Sequence, residues 1–178
     1  MKALDELLDV FRELVSITTG VPLDRVILAD QGRSAPAGLE VYATYNPIPI
    51  RAYGQVRRTR ELSAPAEQSD PALGSDWQDM QETACSSLEI TLSTNFFNEG
   101  AVHAAMMLQN ANFRSPVSEF LFSHQIAWRY TGNLQNLTSL MQAGLQPRFH
   151  ADIHLFIDHE VSYPVLRAAG FRIETTQE

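Results

Sequence analysis

The chain has one cysteine, Cys85, in 178 residues. No intrachain disulfide can form, so stability rests on packing. Cys85 lies just before an alternating strand pattern, where a free thiol behaves as a small buried hydrophobe. No apolar run approaches the length needed to cross a bilayer. The opening Met1-Lys2-Ala3-Leu4-Asp5-Glu6 lacks a signal peptide's uninterrupted apolar region. The expected location is therefore the cytoplasm, unless assembly carries the protein elsewhere. Positive charge is scarce: 13 Lys and Arg face 21 Asp and Glu, for a net charge of −8. That balance argues against a general nucleic-acid binder, which needs a basic surface. It is compatible with a channel that lets DNA pass, because phosphate attraction would make a positive lining sticky. A Gly-rich phosphate loop, a Cys pair at metal spacing and a His-Glu-x-x-His helix are all missing. No enzyme announces itself, and no cofactor is implied.

What is present describes an ordinary globular chain, 44% hydrophobic and 19% charged, long enough for one domain over residues 1–178. Leu4, Leu7, Leu8, Phe11, Leu14 and Val15 recur at three and four, predicting an amphipathic helix that Gly20 and Pro22 end. Val26-Ile27-Leu28 fits strand or helix. Residues 31–38 read as loop, and Leu39 to Tyr45 as strand. Pro47 and Pro49 are expected to stop that strand or force it to an edge, with a second strand returning over Ile50 to Arg60. Residues 61–76, rich in Ser, Pro and Ala, read as a mobile excursion between the arms of a long hairpin. The second arm begins at Asp79 and ends at Phe97, apolar at Leu88, Ile90, Leu92 and Phe96.

Asn98 is the expected N-cap of a helix from Ala101 to Phe113, which carries Val102, Ala105, Met106, Leu108 and Phe113, with Met106 and Met107 as core filler. Ser115-Pro116 starts a shorter helix. Ile126 to Tyr130, Phe149 to Ile157 and Phe171 to Thr175 read as strands, with a turn at Thr131-Gly132-Asn133. Strands in runs with helices grouped together predict an α+β fold, an antiparallel or mixed sheet with helices packed on one face.

His150, Asp152 and His154 form the sharpest catalytic pattern. Alternate residues on a strand share a face, and two His with one carboxylate make the facial triad of non-haem iron enzymes. Residues two apart on a flat strand nevertheless lie roughly 6.5–7 Å apart, so three in a row diverge unless the strand bends. A solvated strand face is the favoured reading; a small metal-dependent enzyme is the alternative. Arg57, Arg58 and Arg60, with Leu73 and Trp77 around the excursion, are candidate subunit or partner contacts.

The order of these elements resembles the phage neck or tail terminator (tail-completion) family. The resemblance rests on Phe96-Phe97-Asn98-Glu99-Gly100-Ala101 between strand and helix, on Thr131-Gly132-Asn133-Leu134-Gln135-Asn136-Leu137, and on Arg148 before a late strand. It implies a structural virion protein without turnover. Such a protein forms a ring, commonly of six copies, that halts growth of the tail tube and joins tail to neck. Its implied partners are its own copies, the tail tube protein and a neck or head-completion protein, with a sheath protein as a further contact. DNA passes through without specific binding. A head-completion or connector role is the structural alternative. The expected mode of self-association is through exposed strand edges and the excursion loop. The long insertion at 61–76 departs from the family pattern.

Overall fold

The spacing of Leu7, Phe11, Leu14 and Val15 places all four on one stripe, and all four are buried in α1 (Leu4–Thr19). A computed structural model describes residues 4–29, 32, 34–64, 78–141 and 144–165. α1 ends at Gly20, whose φ of 75° is the left-handed conformation that glycine adopts at little cost; its N–H donates to Ser16 O at 2.8 Å. Val26–Leu28 resolves as a strand, β1, because it pairs in parallel with Ala43 to Tyr45 of β2 (Tyr42–Ser63). β3 spans Asp79–Phe97. Two short helices follow, α2 (Ala101–Met107) and α3 (Ser115–Ser123). Then come β4 (Ile126–Thr131), β5 (Gln135–Asn136), β6 (Ser139–Met141), β7 (Gly144–Gln146) and β8 (Arg148–Val165).

The main sheet runs β1-β2-β3-β8-β4, with β5 also on β8, and β6 with β7 forms a separate two-stranded sheet. Cross-strand pairs fix the directions. Arg51–Glu89, Arg57–Cys85 and Arg60–Glu82 climb β2 while descending β3; Thr83–Ser162, Thr91–His154 and Thr94–Ala151 do the same for β3 and β8. Both pairings are therefore antiparallel, β4 and β5 are antiparallel to β8, and only β1 makes the sheet mixed. The α+β expectation holds.

The described residues group into two compact units, Met1–Tyr53 with Ser87–His159 and Gly54–Ser86 with Glu160–Glu178. β2, β3 and β8 contribute residues to both. In the first unit the sheet side of the core comes from one alternation on each strand: Ala43 and Tyr45; Ile90, Leu92 and Phe96; Ala151, Ile153, Leu155 and Ile157. The same cluster takes in α1, Ala101, Ala104, Ala105 and Leu108 around α2, and Val117 and Leu121 of α3, so the three helices cover one face of the sheet. Each large side chain buried here contributes about 1.5–3 kcal/mol. Thr94, fully buried, donates its hydroxyl to Ala151 O at 2.6 Å and so leaves no orphaned polar group in that core.

Four expectations need correction. β2 does not stop at Pro47 and Pro49 but runs on to Ser63 as an edge, the other of the two alternatives, so no second strand begins at Ile50. β1 pairs only as far as Tyr45, and beyond it the prolines sit where no strand among the described residues needs their missing N–H groups. Asn98 is not an N-cap. It takes a left-handed φ of 70° and sends Nδ2 to Gly38 O and Glu40 O, while Gly100 precedes the helix. The helix expected to reach Phe113 stops at Met107, and Asn110, with φ of 61°, turns the chain before a single 3-10 turn at Ala111–Phe113. Met106 is consequently not core filler: it is 59% exposed, as Phe113 is at 78%, because alanines and Leu108 hold the inward positions. The excursion beyond Ala64 and the strand expected at Phe171 to Thr175 lie outside the described residues.

Candidate assembly interface

In the first unit the helix-free alternation of the sheet carries a chain of charged and aromatic contacts. Glu89, on β3, is buried, yet its carboxylate is met by Arg51 Nε at 3.1 Å, Arg129 Nη1 at 3.9 Å and His154 Nδ1 at 3.9 Å. Burial of an ion is tolerated when partners surround it. Thr91 Oγ1 lies 3.3 Å from His154 Nδ1, and the His154 ring stacks on Tyr130 with centroids 4.2 Å apart. The register of β4 on β8 shifts between Trp128 and Tyr130. Such a bulge re-aims side chains. Arg129 consequently sits 5.3 Å from the Phe156 ring centroid, 5.5 Å from that of Tyr53 and 5.9 Å from that of Tyr130. At the other end of this face Tyr42 and Phe97 stack with centroids 4.7 Å apart, and Arg148 covers Phe97 at 5.4 Å while holding Asn95 Oδ1 at 3.0 and 3.2 Å. Burial raises the Tyr42 hydroxyl pKa above its ordinary value.

This face does not assemble the metal triad. His150 Nε2 approaches Asp152 Oδ1 at 3.3 Å, whereas His154 turns to Glu89, Thr91 and Tyr130. Among the described residues no three His, Cys, Asp or Glu side chains converge in a metal-binding group. The cause is the strand: three alternate positions stay apart on β8, and the cross-strand neighbours claim the outer one.

The second unit carries the sequence-predicted arginines on a three-stranded ribbon. Glu82, on β3, is only 4% exposed. Its Oε2 accepts from Arg60 Nε at 2.6 Å, its Oε1 accepts from the Tyr163 hydroxyl, and Arg58 Nε stands 3.8 Å away. Both guanidinium groups remain largely in solvent. The Tyr163 hydrogen bond and then the Arg60 hydrogen bond hold the Glu82 carboxyl below its usual value. The same bond raises the Tyr163 pKa. Arg57 Nη2 reaches Cys85 Sγ at 3.6 Å, which places the buried thiol within the ribbon. The structure thus brings Arg58 and Arg60 together and sets Arg57 on a different partner; Leu73 and Trp77 lie outside the described residues.

The motif residues act as joints. Phe96 fills the core, Phe97 stacks under Arg148, and the Asn98 N–H donates to Pro147 O at 3.1 Å. Gly132 N donates to Asp152 O at 2.7 Å, and a Cβ at Gly132 would stand 3.4 Å from that oxygen, a tight fit for any side chain. A family model described as phage neck terminator protein matches residues 5–178, nearly the whole chain. The chain belongs to the phage neck terminator family. It is a structural protein of the phage particle, located at the tail and neck, where it meets other tail and neck proteins. No curated protein matches it. Sequence reading missed Glu89, Arg129, Tyr53, Tyr130 and Phe156, whose spacing across four strands leaves no local motif. Only Glu89 carried a signal, an acidic residue between the apolar positions Leu88 and Ile90.

Proposed function

We propose that this neck terminator forms a closed ring, commonly six copies in the family it resembles, on the head-proximal end of the tail tube. The ring stops tube growth and presents a surface for the neck or head-completion protein, with a sheath protein as a further neighbour. DNA passes through the ring without specific binding, in keeping with the net charge of −8. Before incorporation the protein resides in the host cytoplasm. The reading is carried by membership of the family over residues 5–178.

The β2 edge beyond Tyr45 is a poor site for strand addition in the first unit. Tyr45 O accepts from Ala29 N at 2.9 Å, so odd-numbered residues of β2 aim their backbone groups outward there. The next two such positions are Pro47 and Pro49, which have no N–H to give an incoming strand. Along that stretch side chains, not backbone groups, are available for contact. The test is elongation of tail tubes lacking their terminator, with purified protein added. Length distributions that freeze on addition support the reading; tubes that keep growing at saturating protein refute it.

A further inference from the structure

In the second unit every β2 residue from Gly54 to Leu62 is exposed, as is β8 from Glu160 to Pro164. The outer strands of this ribbon stand in solvent, while Glu82 and Cys85 of β3 between them are buried. The ribbon presents Arg58 and Arg60 beside the exposed apolar side chains of Val56 and Leu62. A three-stranded ribbon whose outer strands are exposed is weakly stabilised by itself, and solvated apolar groups on it favour a covering partner. Glu82 gathers the two arginines on one side of the ribbon, where one carboxylate against two guanidinium groups leaves positive charge in excess; Glu61, Asp79 and Glu160 alternate to the opposite side with Arg57.

The outer surface of the helices in the first unit has the opposite character. Asp9 and Glu13 of α1 and Glu119 of α3 are exposed. The basic residues of these elements are turned inward: Arg12 donates to Leu23 O and Val26 O, and Arg114 to Ile17 O and Thr18 O. Large apolar side chains stand in solvent beside the acids, with Phe122 87% exposed and Phe113 78%.

We propose that in the assembled ring the Arg58 and Arg60 side of one copy's ribbon lies on the acidic and apolar helix layer of the next copy. Neither surface complements itself, since each would meet its own charge; each complements the other in sign and in apolar content. A contact between two different patches is head-to-tail, the kind that closes into a ring when its rotation allows. Exposed Phe and Met supply the anchors, and the arginine–carboxylate pairs set which way the ribbon lies.

This inference rests on the ring reading above, and one experiment separates the two. Leu62→p-benzoylphenylalanine protein is irradiated on tail tubes and, in parallel, concentrated without tubes; cross-linked peptides are then mapped. The expected result is a link between copies falling within residues 4–19 or 99–124. Reversal of Asp9, Glu13 and Glu119 to Lys, which leaves the ribbon untouched, should lower its yield at least tenfold. Protein that caps tubes but links only elsewhere overturns this contact and leaves the terminator reading standing. The expected link in concentrated protein that fails to cap tubes supports the contact and removes the terminator reading. An undiminished yield in the reversed variant overturns the electrostatic part of the proposal.

Discussion

Arg114 closes the C-terminal end of α1 from another part of the chain, and its removal should be felt well beyond its own position. α1 has no basic residue in its last turn. Its final carbonyls would otherwise lack both a partner and a compensating charge at the negative end of the helix dipole. Arg114 Nη2 donates to Ile17 O at 3.3 Å and to Thr18 O more closely. Two hydrogen bonds from a charged donor are worth about 1.5–3 kcal/mol each. Against that, Arg114 Nε is buried with no partner, which already costs about 1–3 kcal/mol, and the released carbonyls can take up water. The balance for Arg114→Ala is a loss of about 2 kcal/mol. With a urea slope of about 2 kcal/mol per molar, the unfolding midpoint should fall by about 1 M, read by far-ultraviolet circular dichroism. Arg114→Lys keeps the charge and reaches one carbonyl, so it should recover about half of the loss. A midpoint unchanged in the Ala variant would refute the capping role. Equal losses for Ala and Lys would refute the charge component.

Replacing Phe11, fully buried in α1, by Ala should cost about 3–5 kcal/mol, checked by the same melts, with less than about 1 kcal/mol contradicting its place in the core. Glu82 has a folded pKa below the ordinary 4.5, so its contribution is present above that value and is lost as pH falls through the depressed folded pKa. Protease cleavage within 79–86 should therefore rise on acidification in the native protein, and Glu82→Gln should be cleaved readily at neutral pH already. Tyr163 is raised above 10.0 by the same hydrogen bond, and Tyr163→Phe should remove one late-titrating tyrosine from an ultraviolet titration; an undiminished late phase would contradict the bond. Added zinc or ferrous ion should give no stoichiometric binding by calorimetry, and a one-to-one site abolished by His154→Ala would restore the metal reading.

The sequence showed the fold where one periodicity governed one element. α1 and the alternation through Ile90, Leu92 and Phe96 were legible because burial alone sets their pattern. The prolines misled, since their cost depends on whether a neighbouring strand asks for their N–H, and that is a tertiary fact. Met106 misled for a related reason: its helix is so short that small alanines fill the inward positions and the larger side chain stays outside. The arginines at 58 and 60 were visible as a pair on one side of a strand, but the carboxylate that gathers them lies 22 residues beyond Arg60, across the excursion. Glu89 and Arg129 meet only because a bulge in β4 re-aims one of them, and no local pattern announces that.

The central claim is that this neck terminator closes a ring on the tail tube, and imaging tube ends by cryo-electron microscopy tests it most directly. With purified protein added to terminator-deficient tubes, the account predicts one closed layer of density at the head-proximal end and bare tube at the other. Protein spread along the tube wall, or no added layer at either end, would contradict it.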